Sequence, residues 1–232
     1  MFPPFWLAND SIDFPSPSLA LKEPNGLLAL GGDLSTSRLL NAYRLGIFPW
    51  YDEEPILWWS PDPRTVLFLK DLHISHSLQK FLNKNPFTIK TDENFAGVLQ
   101  HCAAPRVREA KLTGTWLNPP MQSAYLALHE MGYAHSIEVY ENNILVGGLY
   151  GISMGRLFFG ESMFSLKTNA SKVALVALTK QLKMWDFLLI DCQVASSHLF
   201  SLGAKQIPRQ QFMEILAENN KFDSKILKWS FS

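Results

Sequence analysis

Phe187–Val194 reads FLLIDCQV. Four apolar residues in a row predict a buried strand, and an acid, a thiol and an amide come next without a turn signal. Side chains alternate faces along a strand, so Asp191 and Gln193 are expected on one side and Cys192 on the other, turned into the core. A carboxylate and an amide at the end of a buried strand can do chemistry. They can equally be a hydrogen-bonded strand end, since an acidic residue often caps the next helix. The neighbouring sequence has to decide.

Just upstream, Thr168 or Asn169 caps a helix predicted from Ala170 to about Trp185, with Val173, Leu175, Val176, Leu178 and Leu182 on its apolar side. Before that helix lies a β-meander. His135–Tyr140 alternates, Glu141-Asn142-Asn143 turns, Ile144–Ser153 carries Gly147-Gly148, Gly155-Arg156 turns, and Leu157–Phe164 reads LFFGESMF. Meander, crossover helix and a strand returning parallel to its neighbour is the order on which N-acetyltransferase-type folds centre. Downstream, Ser196–Leu202 is a short helix ended by Gly203, and Pro208–Glu218 is a last one.

Further upstream, Thr65–Leu69 and Phe87–Lys90 read as strands, and Ser75–Leu82 and Asn94–His101 as helices. Ala103–Trp116 reads as a loop carrying Arg106, Arg108, Lys111 and Trp116, and Asn118-Pro119-Pro120 starts a helix that stops at Gly132. Residues 1–65 hold nine of the 14 prolines, so long regular elements are not expected there. One short helix is signalled, with Ser35 or Ser37 as cap, Arg38–Leu45 as body and Gly46 as stop. Gly31-Gly32-Asp33 reads as a turn, because no phosphate-loop pattern accompanies it. The prediction is an α+β chain: a small N-terminal α/β domain over 1–65 and a domain over 66–232 whose element order is compatible with an N-acetyltransferase-like (GNAT) fold.

The 232 residues are 47% hydrophobic and 18% charged, ample material for a core. Lys+Arg and Asp+Glu are both 21, which gives no support to wholesale nonspecific nucleic-acid binding and leaves room for a local basic patch. Cys102 and Cys192 match no metal-ligand spacing, and Cys192 in its apolar run suggests a reducing compartment. No run long and apolar enough for a transmembrane span is present, and the proline-broken start does not read as a signal peptide, so a cytoplasmic chain is expected.

Glu161 stands inside the apolar run LFFGESMF, on a strand expected beside that of Asp191 and Gln193. Alternation puts Phe159, Glu161 and Met163 on one face and Phe158, Gly160, Ser162 and Phe164 on the other. A glutamate there is either hydrogen-bonded at a strand end or facing a pocket. Two acids and an amide converging at a sheet opening can bind and position an amine. His73, His76 and His135 read as structural or solvated, and no zinc-protease spacing or Gly-x-Ser-x-Gly elbow occurs. Trp50, Tyr51, Trp58 and Trp59 fall within ten residues, either as a small aromatic core or as a stacking surface.

The chain resembles the leucyl/phenylalanyl-tRNA–protein transferase family. The matching runs are FPSP (14–17), EPNGLLALGGDLS (23–35), AYRLGIFPWY (42–51), ILWWSPDPR (56–64), LHIS (72–75), GTW (114–116), AY (124–125), HSIEVY (135–140), LVGGLYG (145–151), FFGESMFS (158–165), NASK (169–172), IDCQV (190–194), SLGA (201–204) and IPR (207–209). They run in order over nearly the whole chain. The resemblance implies transfer of Leu or Phe, less well Met, from aminoacyl-tRNA to the α-amino group of proteins beginning with Arg or Lys, which creates an N-degron. It implies no cofactor, no metal and no membrane, and a monomer is expected.

The resemblance also implies the site. Tyr43, Trp50, Trp116, Tyr125 and Met163 form the aminoacyl and adenosine pocket, and Glu161 contacts the acceptor's basic residue or amine. Asp191 and Gln193 work on the attacking amine, as base or as positioning groups; proton transfer by the tRNA ribose is the rival. The segment Ser165–Asn169 has no glycine, unlike the pyrophosphate loop of coenzyme-A enzymes, which counts against a coenzyme-A-dependent N-acetyltransferase. A non-catalytic tRNA- or degron-binding module is the other alternative, disfavoured by the presence of Glu161, Asp191 and Gln193 together. The helix after Ser75 offers Lys80 and Lys84 to tRNA and fewer arginines than the family places there, so Arg106, Arg108 and Lys111 are expected to share the phosphate contacts.

Overall fold

Prolines and glycines cut the N-terminal region into short strands. In the computed structural model, which describes residues 4–84, 86–104, 106–108, 111–113 and 117–231 (106–108 and 111–113 by backbone alone), this region is a four-stranded sheet and one helix. The sheet uses β1 (Phe5–Leu7), β2 (Leu27–Gly31), β3 (Phe48–Pro49) and β4 (Leu57–Trp59) in the order β1-β2-β4-β3. Helix α1 (Thr36–Arg44) starts where the Ser35 hydroxyl accepts the Arg38 N–H at 3.4 Å, and ends before Gly46, whose φ of 69° favours glycine.

A larger sheet comes next. Its seven strands among the described residues come from β5 (Arg64–Phe68), β6 (Thr88–Thr91), β9 (Ala134–Glu141), β10 (Ile144–Met154), β11 (Leu157–Ser165), β12 (Leu189–Gln193) and β13 (Lys205–Ile207). Between them lie α2 (His76–Asn83), α3 (Phe95–Ala103), β7 (Arg106–Arg108), β8 (Lys111–Thr113), α4 (Pro119–Glu130), α5 (Ala170–Met184) and α6 (Ser197–Ser201), and α7 (Arg209–Asn219) closes the series. The order is β13-β5-β12-β11-β10-β9-β6. The predicted meander is β9–β10–β11, α5 is the crossover, and β12 returns parallel to β11.

Each face of this sheet carries a core. On one, α5 buries Val173, Leu175, Val176, Leu178 and Leu182 against the strands, and α2 adds Leu78. Each such side chain is worth about 1.5–3 kcal/mol when fully buried. The free N–H of Ser171 near the start of α5 is taken by the Ser165 hydroxyl at 3.2 Å, because Asn169 occupies the cap position with φ 67° and makes no side-chain cap. On the other face, α3, α4 and α7 pack together with α1 and Trp58 of the small sheet in one continuous cluster. His135 is structural: it is buried, bonded to Asp92 at 2.8 Å and stacked on Trp229.

One expectation is corrected. Ala103–Trp116 is not a plain loop, because β7 and β8 pair antiparallel within it; its mixed polar and small residues had hidden two three-residue strands. The N-terminal region has no long element, as its prolines predict, and its short strands pair into the four-stranded sheet.

Candidate active site

Strands β11 and β12 run side by side through Leu157↔Leu189, Phe158↔Ile190 and Phe159↔Asp191, and there the ladder ends. Past that point the two chains part. The gap opens into a cavity of about 670 Å³, lined by Leu149, Met163, Leu175, Leu178 and Ile190, with Glu161, Cys192 and Gln193 among its polar residues.

A bulge on each strand shapes the opening. On β11, Ser162 pairs with Tyr150 and Gly160 with Gly151, which leaves Glu161 as the extra residue. The expected alternation therefore fails at Glu161. Phe159 packs in the core with α1 and α4, whereas Met163 packs on the α5 side. On β12, Asp191 pairs with Val66 and Gln193 with Thr65, so Cys192 is extra and Gln193 takes φ 62°. Cys192 is buried as predicted, but it lines the same cavity as Gln193 instead of facing away from it. Burial pushes its thiol pKa up.

Glu161 is the hub. Its Oε1 accepts from the Tyr43 hydroxyl and from Gln193 Nε2, both at 2.8 Å, and its Oε2 accepts from the Tyr125 hydroxyl at 2.6 Å. The two phenols lie 3.0 Å apart and are fully buried. Ring packing holds them, Tyr43 on Phe159 at 5.2 Å and Tyr125 on Tyr150 at 5.3 Å. Glu161 as a residue is only partly buried, yet its carboxylate is enclosed by these partners. Loss of solvent raises its pKa to about 7, against the lowering pull of the three hydrogen bonds and with a further push from the Asp191 charge. The two phenols are raised well above their usual value, first by burial and then by the Glu161 charge.

Asp191 is wholly buried and does not line the cavity. Arg64 holds both its oxygens, Nε to Oδ1 at 2.9 Å and Nη2 to Oδ2 at 2.6 Å. Its Oδ1 also accepts the Gln193 backbone N–H at 3.0 Å. So Gln193 meets the cavity and Asp191 stands behind it. Arg64 ends the run ILWWSPDPR, but nothing in the sequence pointed to its role. A buried strand acid needs a cation, but nothing in the chain order says which of the 21 basic residues supplies it. The cavity's leucines and Ile190 were missed because apolar residues at helix and strand spacing read as core.

The remaining predicted residues are dispersed. Met163 lines the cavity, while Trp50 is 44% exposed, packs on Trp59 at 5.9 Å and lies outside the lining. The aromatic run thus divides, with Tyr51 and Trp58 buried in the core. Trp116 lies outside the described residues. Lys80 and Lys84 are exposed on α2 and at its C-terminal end. Arg106 and Arg108 belong to β7 and Lys111 to β8, where the strand pairing alone is described. Among the described residues no cluster of three or more His, Cys, Asp or Glu stands where it could hold a metal ion, and no helix is long and apolar enough to cross a membrane.

A family model described as leucyl/phenylalanyl-tRNA protein transferase matches residues 66–217, and a model of that family's N-terminal domain matches residues 32–62. Three relatives bear the name leucyl/phenylalanyl-tRNA–protein transferase. That of Pseudomonas fluorescens (strain SBW25) is 57% identical over 215 residues, 92% of this chain and 94% of its own. That of Nitrosospira multiformis is 55% identical over 227 residues, 97% and 96% of the two chains. That of Nitrosomonas europaea is 56% identical over 219 residues, 94% and 92%. Among solved structures, L-PGS from Bacillus licheniformis is 9% identical with a TM-score of 0.39, covering 73% of this chain and 54% of that one, a likeness too distant to bear on function. On the family models and these relatives, the chain belongs to the leucyl/phenylalanyl-tRNA–protein transferase family.

Proposed function

We propose that this aminoacyltransferase moves leucine or phenylalanine, and methionine less well, from the tRNA ester to the α-amino group of proteins that begin with arginine or lysine. The product is an N-degron, and the work is done in the cytoplasm by a monomer without a cofactor. Transfer from tRNA to protein follows from family membership. For the finer reading, the carrying observation is the parting of β11 and β12, which sets Glu161 and Gln193 at the wall of an apolar cavity.

The ester is already activated, so the protein has to position the amine and stabilise charge. A neutral amine attacks the ester carbonyl carbon, the C–N bond forms, the C–O bond to the ribose breaks, and the amine's proton ends on the ribose oxygen. Leu149, Met163, Leu175, Leu178 and Ile190 offer the aminoacyl side chain an apolar seat. Tyr43 and Tyr125 orient the Glu161 carboxylate, whose charge suits the acceptor's cationic residue or its ammonium. Gln193 gives its Nε2 to Glu161 and has its Oε1 to offer the incoming amine. Asp191 acts through Gln193, because Arg64 occupies both its oxygens. Trp50 and Trp116 are the aromatic candidates for the terminal adenosine, and Lys80, Lys84, Arg106, Arg108 and Lys111 for tRNA phosphates.

The deciding experiment offers labelled Leu-tRNA or Phe-tRNA to a peptide with N-terminal Arg and to an otherwise identical one with N-terminal Ala. Label is expected on the Arg peptide alone. No transfer to it would defeat the proposal.

A further inference from the structure

We propose that Arg64 is a positioning residue for the transfer reaction: it clamps Asp191 so that Gln193 holds the left-handed backbone that brings its carboxamide to Glu161. The inference rests on the reading of Glu161 and Gln193 as the amine site.

Arg64 is 1% exposed and Asp191 0%. The guanidinium uses Nε and Nη2 on the carboxylate, gives Nη1 to the Gly46 carbonyl at 3.1 Å, and lies between the rings of Phe48 and Phe212, 4.8 Å from each centroid. It has no freedom to rotate away. Replacing a buried pair of this kind by apolar residues of like volume is often neutral or stabilising, so stability alone gives little reason for it.

The geometry supplies another reason. A non-glycine residue rarely adopts a φ of 62°, and Gln193 does so one residue past the bulged Cys192. What holds it there is the bond from its N–H to Asp191 Oδ1, the oxygen that Arg64 Nε also grips. Remove the grip and the carboxylate can turn, the backbone of Gln193 can relax, and its Nε2 leaves Glu161. The clamp draws on two distant segments. Gly46 and Phe48 come from the turn after α1 and from β3, and Phe212 comes from α7. The orientation of Gln193 thus depends on the small sheet and the last helix both being seated.

The test is steady-state transfer kinetics with thermal melting on Arg64→Lys, Gln193→Ala and the double variant Arg64→Met/Asp191→Leu, which removes both buried charges. The double variant is expected to melt near the parent, keep its KM for charged tRNA within about threefold, and lose about 10²-fold in kcat, the scale of a 1 Å misplacement. Adding Gln193→Ala to it is expected to cost little more, because both changes act on one contact. Arg64→Lys, which keeps the charge but not the two-pronged grip, is expected to lose about tenfold in kcat with KM unchanged. Parental kcat in a well-folded double variant, with Gln193→Ala impaired, overturns the clamp and leaves the amine-site reading standing. Parental kcat in both Gln193→Ala and Glu161→Gln overturns that reading and the clamp with it. Should the double variant fail to fold, parental kcat in Arg64→Lys overturns the proposal.

Discussion

Glu161 holds a carboxylate where water is nearly excluded, and this sets its behaviour with pH. With its pKa raised from 4.5 to about 7, the folded protein keeps a proton there that the unfolded chain has already released. The neutral acid's advantage is fully present below pH 4.5 and is lost as the pH rises through about 7. Glu161→Gln does not titrate, so its melting temperature relative to the parent should rise between those limits and level off above them, which thermal melts across the range will read. In kcat/KM the parent should climb as Glu161 ionises, while the variant loses that inflection and about 10²-fold in rate. The acceptor amine titrates near ~7.7–8.0 in both proteins, so the lower inflection alone belongs to the carboxylate. The sequence showed Glu161, Asp191 and Gln193 as three polar residues in two apolar runs. It could not show that Asp191 would be neutralised by Arg64, which lies 127 residues earlier.

The meander and crossover were legible because their signals are local: alternation, Asn and Gly turns, and a helix with a clear apolar side. The two bulges were not. A bulge is a disagreement between paired strands, and a single strand read alone does not contain it. The bulge on β11 leaves a trace in two glycines: Gly160 inside the strand, a residue that often marks a bulge there, and its partner Gly151. A Cβ on Gly151 would run into the Phe159 carbonyl oxygen and the Phe158 ring. Gly151→Ala should therefore lose about 1–3 kcal/mol of stability in urea titration, as overpacking does. It should also impair transfer more than its stability loss explains, since the strand it disturbs carries Glu161. An equivalent loss without any effect on transfer would show that the bulge does not set the site. The ribbon of β7 and β8 went unread for a different reason, as three-residue strands are too short to display a period.

At the scale of the whole chain, zero net charge means that tRNA has to be gathered by local patches and not by an overall field. Affinity for charged tRNA should still fall steeply with the logarithm of salt. Lys80→Ala and Lys84→Ala should each reduce that slope by about 0.7–0.9, measured by filter binding between about 50 and 200 mM salt. A flat salt response would sink the phosphate-contact reading, and a parental slope in both variants would remove α2 from the interface. The chain builds a small sheet and a large one, and one core cluster runs through both, with α1 and Trp58 packed with α3, α4 and α7. The placement of β5 bears on how such a molecule comes to exist at all. It is made early and sits between β12 and β13, strands from the far end of the sequence. Its pairing is non-local and its ladder cannot form until those partners are present, whereas β9, β10 and β11 need only their own short turns. In pulsed hydrogen exchange during refolding, amides of the meander should gain protection first, and those of β5, β12 and β13 together and last. Catalytic competence, which requires Arg64 to meet Asp191, should then appear with that final phase and not with the first.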